Sequence, residues 1–533
     1  MGRSPRHLVG VAIAVAAAAV LLAPASAPAQ VIGFTSGVTA GEVTDHTAIL
    51  WGRTDNPAFV VAQVAKDPAF QNLVRQRSLR STRADNNTVQ TQFDGFAPNT
   101  RYHYRFCYPG GRKCSAAGKF ETAPRASDPK TIRFGYSGDE TAVPAPGHTE
   151  PYYGDFKAFK TMVAENNDFN IDFGDTIYSD PEVPGVATAS SVAQKWAMYR
   201  KKLSIENMQK IRESAGLYNH WDDHEFVNDF SVAENGRPLY DRSVQAFRDY
   251  MPVTYSSQNG IYRTVRWGKN LELFFLDERS FRSEKASANG VCDNPNTSQP
   301  DLAPTAPQSI RNVFGAVYPS TGLTATVSQA CKNKINSPNQ TFLGSHQLQR
   351  FIYEVKHSTA RWKVVMNETP IQQFYALPYD RWEGYAYERV KLLKALDDAN
   401  VDHLAFLTTD THAAFQNEVN YRTLSNDIAP ANATGMATPS PTPYDDFIIG
   451  PVATKNFWGE IDDTTGISGS GMAITNAFFK PIVGMNCAQG GTNSYGEVTV
   501  TASTLRVDYK DENGDVVKDS DGTTPCGPYV LTN

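Results

Sequence analysis

The sequence predicts a small antiparallel β-sandwich followed by a layered α/β domain. Three observations predict it. Residues 31–122 alternate apolar and polar side chains at period two between turn signals. Beyond residue 130, strand-like runs alternate with helical ones. Between the two regions lies "APRASDPK", residues 123–130, a linker by composition.

Residues 1–29 come first and stand apart. Arg3 and Arg6 precede an apolar run from Leu8 to Ala23, which ends in the small residues Ala27-Pro28-Ala29. This is the layout of a cleaved secretory signal, so the expected location is secreted or periplasmic. The run is short of the ~20 residues a span needs, so no stable membrane insertion is expected after cleavage. Gln30 at the cut, in place of Cys, argues against a lipid anchor. The net charge of −6 becomes −8 without the two leader arginines, which gives no electrostatic reason to hold nucleic acid. The six cysteines fall as sequence neighbours into three pairs, Cys107–Cys114, Cys292–Cys331 and Cys487–Cys526. With no C-x-x-C spacing, they read as structural disulfides of an oxidising compartment.

In the sandwich region, 30–122, "TAILWGRT" and "RYHYRFCY" are the clearest strands, and "TDNPA", "APNT" and "PGG" the turns. The region 131–533 begins with the strand "TIRFGYS". A helix near 153–166 comes next, then "FNIDF" and a helix near 191–214. "LELFFL", a helix near 345–358, "WKVVM", a helix near 385–400 and "LAFLTT" continue the alternation. Two Ser/Pro/Asn/Thr-rich interruptions, 283–341 and 425–445, are too long for ordinary connections and read as lids or capping loops. "GEVTVTASTLRVDYK" reads as a late β-hairpin.

In open α/β sheets, ligands bind beyond the carboxyl ends of the strands. The residues just past each strand therefore bear directly on function. "TIRFGYSG" runs to Asp139, and "FNIDFG" to Asp175 with Tyr178 after it. "GLYNHW" leads into Asp222, Asp223, His224 and Glu225. "WKVVM" ends at Asn367 and Glu368, and "LAFLTT" at Asp410 with His412 beyond. One Asp after a strand is an ordinary turn or cap residue. Five strand ends delivering hard oxygen donors need cations among them to relieve the repulsion. The reading is a site for two or more metals, suited to clamping the oxygens of a phosphoryl transfer. Asp175, on the tight "GDTIY" turn, is placed to bridge; His224 is either a ligand or a proton donor to the leaving oxygen.

At these residues the sequence resembles the PhoD-like alkaline phosphatases and phosphodiesterases, a branch of the metallophosphoesterases. "GVTAGEVTDHTAILWGRT" and "GFAPNTRYHYRF" resemble the family's fibronectin III-like N-terminal sandwich. "FGDTIY", "WDDHEFVND", "FLDERSFR", "LGSHQLQRF", "DRWEGY" and "TTDTHAAF" come after it in the family's order. The resemblance implies metal ligands at Asp139, Asp175, Tyr178, Asp223, Asp410 and His412, with His224 as the catalytic residue. It implies Fe(III) with Ca as cofactors. Asp139 stands where many relatives carry Cys; its carboxylate is a harder donor than a thiolate and leaves Mn or Zn open as well. Asp222, Asn367 and Arg279 are candidates for substrate contact or support. Arg279 either grips a phosphate oxygen or pairs with Asp277 or Glu278. His148, His403 and His220 are read as lying outside the ligand set.

The function expected is an exported phosphoesterase whose metal-activated water attacks phosphorus directly, on small phosphate monoesters, diesters or both. Two alternatives are a phospholipase D-like phosphodiesterase on the same centre and a non-catalytic surface-binding protein.

Overall fold

The computed structural model describes residues 1–2, 33–111, 113–421 and 441–532. Most of the expected leader and most of the 425–445 interruption lie outside the described residues.

Seven strands form the first unit: β1 Val38–Gly41, β2 Thr47–Arg53, β3 Phe59–Ala65, β4 Leu73–Arg80, β5 Thr88–Asp94, β6 Arg101–Cys107 and β7 Gly118–Glu121. They make two antiparallel sheets, β1-β2-β5 and β4-β3-β6-β7. The period-two alternation sends Leu50, Val60, Val64, Tyr104 and Phe106 into the space between them, where all five are fully buried. Cys107 and Cys114 are bonded across the turn after β6.

The second unit contains two larger sheets. Its strands are β8 Ile132–Ser137, β9 Phe169–Phe173, β10 Gly216–His220, β11 Arg263–Trp267, β12 Leu271–Phe275, β13 Trp362–Asn367 and β14 Leu404–Thr408. Beyond them come β15 Ala414–Asn420, β16 Pro441–Ile448, β17 Cys487–Gln489, β18 Ser494–Val500, β19 Thr504–Asp511 and β20 Tyr529–Thr532. One sheet runs β10-β9-β8-β18-β19-β20 and the other β11-β12-β13-β14-β16-β15-β17. β8, β9 and β10 are parallel, as are β12, β13, β14 and β16.

The sheets pack face to face through Phe134, Ile171 and Val498 on one side and Leu273, Met366 and Leu407 on the other. Helices 157–164, 192–202, 206–214 and 237–250 cover the outer face of the first sheet. Helices 345–357 and 386–397 cover that of the second. The result is helix, sheet, sheet, helix. Strands buried on both faces read as near-continuous apolar runs, which is why "LAFLT" is so plain in the sequence.

The helix expected over 191–214 is two helices, Val192–Lys202 and Glu206–Ser214. Ser191 and Gln194 cap the first reciprocally. Ile205 is extended at the start of the second, and the break lets both Leu203 and Ile205 bury. The 283–341 interruption is not a bare loop: it carries helices Gln308–Val317 and Gln329–Ile335 and is tied by Cys292–Cys331. Strands β18 and β19 form the expected hairpin, and Cys487–Cys526 links β17 to the loop before β20. The two units are locked together by polar bonds. Trp51 Nε1 donates to Asp249 O at 2.8 Å, the Tyr218 hydroxyl donates to Val43 O, and Arg263 Nε pairs with Glu42 at 2.9 Å.

Candidate metal centre

Five parallel strands end alike. Asp139, Asp175, Asp222, Asp277 and Asp410 each stand two residues past the last residue of β8, β9, β10, β12 and β14. Because those strands belong to both sheets, their ends meet along one rim of the double-sheet core. Gly174 explains the tightness of one turn: at φ +88° a Cβ there would lie 2.7 Å from the Cβ of Asp222. Asp139, Asp175, Asp410 and His412 hold left-handed backbone, with φ of 61°, 52°, 61° and 56°. Four non-glycine residues in that region at one site mark backbone that the surrounding fold imposes.

The side chains form overlapping clusters. Oxygen or nitrogen atoms of Asp139, Asp175 and His412 lie within 4.8 Å of one another, as do those of Asp175, Asp223 and His224. Asp175 belongs to both. A third cluster joins Asp222, Asp223 and Asp410, and a fourth Asp223, Asp229 and Asp380. The chemistry of these groups fits cations. Asp139 Oδ2, Asp222 Oδ2 and Asp223 Oδ1 are buried with no hydrogen-bond partner. A buried carboxylate oxygen left bare costs several kcal/mol by desolvation, so this donor set asks for positive charge. Burial, with the nearby charges of Asp223 and Asp222, pushes the Asp175 carboxyl well above the usual range. Burial does the same to Asp139, with Asp222 adding to it against the pull of His412. Cations among these groups reverse both shifts.

His224 and His412 are each oriented by an acid. Asp180 Oδ1 lies 2.8 Å from His224 Nδ1, and Glu460 Oε1 lies 2.6 Å from His412 Nδ1. Burial works against a charged imidazole, but Asp223 and Asp180 outweigh it and hold His224 at about 10. Glu460 and Asp139 likewise outweigh burial and raise His412 to about 9. Tyr178 sits between the two histidines, fully buried, its hydroxyl 2.9 Å from His412 Nε2. His224, His412 and Glu460 border a cavity of about 200 Å³, lined also by Asp175, Asp223, Asp380 and Asp410.

Arg279 is enclosed rather than offered to the cavity. Its Nε pairs with Asp222, its Nη1 with Asp380 at 2.5 Å and its Nη2 with Asp410 at 3.3 Å. Asp277 and Glu278, the pairing partners weighed from sequence, take no side-chain ion pair with it. Asp277 Oδ1 accepts instead from the Arg279 backbone and from Trp221 Nε1. Asp222 lies one layer behind the cavity, held by Arg279. Asn367 does not border the cavity either; its Oδ1 accepts from Trp382 Nε1 at 3.0 Å. His220 is buried between Phe173 and Phe275, and His403 packs edge-on to Trp362.

Sequence reasoning missed Asp180, Asp229, Asp380 and Glu460. Asp180 carried a signal, two residues past Tyr178 in the same turn segment, and Asp380 opens the "DRWEGY" run. Glu460 carried none. It rides on helix Phe457–Thr465, far along the chain from every other acid of the site.

Comparisons with known proteins bear on the fold and the family. A profile of the PhoD-like phosphatase family matches residues 142–509, and one of the PhoD-like phosphatase N-terminal domain matches residues 19–124. Over 458 residues the chain is 24% identical to alkaline phosphatase D of Bacillus subtilis (strain 168), covering 76% of this chain and 69% of that one. The solved structure of PhoD superposes with a TM-score of 0.69 at 20% identity, over 94% of this chain and 89% of the other. A purple acid phosphatase from yellow lupin seeds superposes with a TM-score of 0.52 at 11% identity, over 91% and 72%. At these identities the superpositions speak to the fold, and the family profile covers most of the chain. The protein belongs to the PhoD-like phosphatase family and is a hydrolase of phosphate esters.

Proposed function

We propose that the protein is an exported, metal-dependent phosphoesterase acting on small phosphate monoesters and diesters. The reading takes residues 1–29 as a leader, 30–122 as the fibronectin III-like sandwich, 123–130 as the linker and 131–533 as the catalytic domain. The membership of Asp175 in two ligand clusters at once carries it. That is the arrangement a bridging carboxylate needs.

Asp139, Tyr178 and His412 would complete one metal site around Asp175; Asp223 and Asp410 would serve the other. Bound cations supply Lewis acidity and an activated water for attack on phosphorus. The phenol and imidazole donors favour iron at the first site, and the all-carboxylate side favours calcium, with manganese or zinc as the other candidates. Asp180 fixes Nδ1 of His224, so Nε2 is the nitrogen that gives a proton to the departing oxygen. Arg279, enclosed by Asp222, Asp380 and Asp410, holds the acidic wall together and offsets charge the cations leave over. Among the described residues no helix is long and apolar enough to cross a membrane.

Metal analysis of the purified protein, run beside assays on a phosphate monoester and a matched diester, tests the reading. Metal extraction should abolish both activities and re-addition restore them. Full turnover by metal-free protein would overturn it.

A further inference from the structure

A second cavity, of about 180 Å³, adjoins the acidic one. The two share Leu377, Arg381, Phe457 and Glu460 in their walls. The second has a different character. Its walls are built by Ile310 and Phe314 from helix Gln308–Val317, by Ile461, and by Ile474, Phe478 and Phe479. These residues come from segments outside the two sheets, including the disulfide-tied 283–341 insertion.

Three polar side chains in that wall are turned to the protein. The Arg311 guanidinium grips Asp301 at 2.5 and 2.7 Å and donates to the Ala303 and Ala325 carbonyls. Arg381 donates to the carbonyls of Ala376 and Leu377 at 2.6 and 2.7 Å. Thr465 Oγ1 bonds Ile461 O at 3.0 Å. Water entering such a cavity finds few partners. Leu/Ile/Phe-lined cavities of ~150 Å³ stay dry and accept a benzene-sized guest.

We propose that this cavity is the subsite for an apolar ester group of the substrate. The phosphoryl group lies among the carboxylates, and an aryl ring or short branched alkyl chain passes Leu377 and Phe457 into the apolar space. The substrate class is then phosphate esters of ring-sized apolar alcohols, selected over esters of sugars and polyols. Adjacency decides the occupant: Leu377, Arg381, Phe457 and Glu460 line both cavities, so a molecule with an anionic end and an apolar end matches the pair. The proposal rests on the metal-centre reading above.

Phosphonates test it without turnover. Calorimetry on the metal-loaded protein compares methylphosphonate with benzylphosphonate, which share the anionic head and differ in the ring. Burying the ring should tighten binding roughly tenfold to a hundredfold. It should also make the heat-capacity change more negative. Ala306→Phe, which fills the cavity, and Ile310→Asn, which makes its wall polar, should each remove most of that gain and leave methylphosphonate affinity unchanged. Equal affinity of the two phosphonates in the wild type would overturn the subsite while leaving the centre standing. A benzyl advantage that survives both variants would also overturn it, since the ring would then bind elsewhere. Failure of both phosphonates to bind would overturn the metal-centre reading and the subsite with it.

Discussion

The ring of Tyr178 lies against the imidazole of His224, their centroids 4.1 Å apart and their planes 26° from parallel. Its hydroxyl meanwhile points to His412 Nε2 at 2.9 Å. One phenol thus packs against one candidate catalytic group and bonds a candidate ligand. Burial and the charge of Asp175 drive its pKa far above the usual phenol value, so only a strongly acidic cation such as ferric iron would deprotonate it. An iron-loaded protein should show a visible charge-transfer band. Tyr178→Phe should abolish the band, keep the stack on His224 and leave the circular dichroism unchanged. An active, colourless wild type holding only calcium, manganese or zinc would rule out iron.

Asp175→Asn should be a severely damaging ligand substitution, since Asp175 is the one carboxylate shared by the Asp139–His412 and Asp223–His224 clusters. Its effect on stability should change sign with metal. In metal-free protein the amide relieves carboxylate repulsion, so the melting temperature should rise above wild type. With metal in excess the order should reverse, because the wild type gains more from binding. Paired thermal melts with and without chelator check this.

His224→Ala should cost far more rate on an alkyl phosphate than on a nitrophenyl phosphate, with metal content roughly unchanged. General-acid help is worth about 10²–10⁴-fold where the leaving oxygen is strongly basic, and little where it is not. Equal losses on both esters, together with lost metal, would make His224 a ligand instead.

The acid's pH range should depend on Asp180. Its charge and that of Asp223 hold His224 near 10, so the protonated fraction falls as pH rises through that value. Asp180→Asn removes one of the two charges and lowers the imidazole pKa. The alkaline limb of the rate profile on alkyl esters should therefore move to lower pH. A limb that stays put would assign it to another group.

Arg279→Met should destabilise the protein by about 3–5 kcal/mol, the usual result of leaving buried acids without their cation. Arg279 is fully buried among Asp222, Asp380, Asp410 and Glu368, and methionine would fill the volume without the charge. A urea midpoint near wild type would show that the metals alone neutralise this wall.

The parallel strands were legible in the sequence because burial on both faces makes them continuous apolar runs, as in "LAFLT". Their trailing aspartates were legible for a related reason: a charged residue directly after such a run is conspicuous. Strands such as β15, "AFQNEVN", mix polar and apolar positions and give no such contrast. The helix break at Ser204 was not legible, since the residues on both sides keep helical spacing. Glu460 was invisible because its pairing with His412 depends on how a distant helix docks. The apolar cavity was invisible for the same reason, being assembled from segments more than a hundred residues apart.

The left-handed backbone at Asp139, Asp175, Asp410 and His412 constrains how the site can evolve. Among non-glycine residues, that conformation is least disfavoured for Asp, Asn and His, and most disfavoured for β-branched ones. Drift at these four positions is therefore filtered twice, once by coordination chemistry and once by the peptide backbone. Exchanges among Asp, Asn and His can pass the second filter and alter charge or donor type one step at a time. Replacement by Val, Ile or Thr would strain the turn before any question of ligation arose. The rim can retune its metals by small chemical steps, but it has few routes to losing them while the chain still folds.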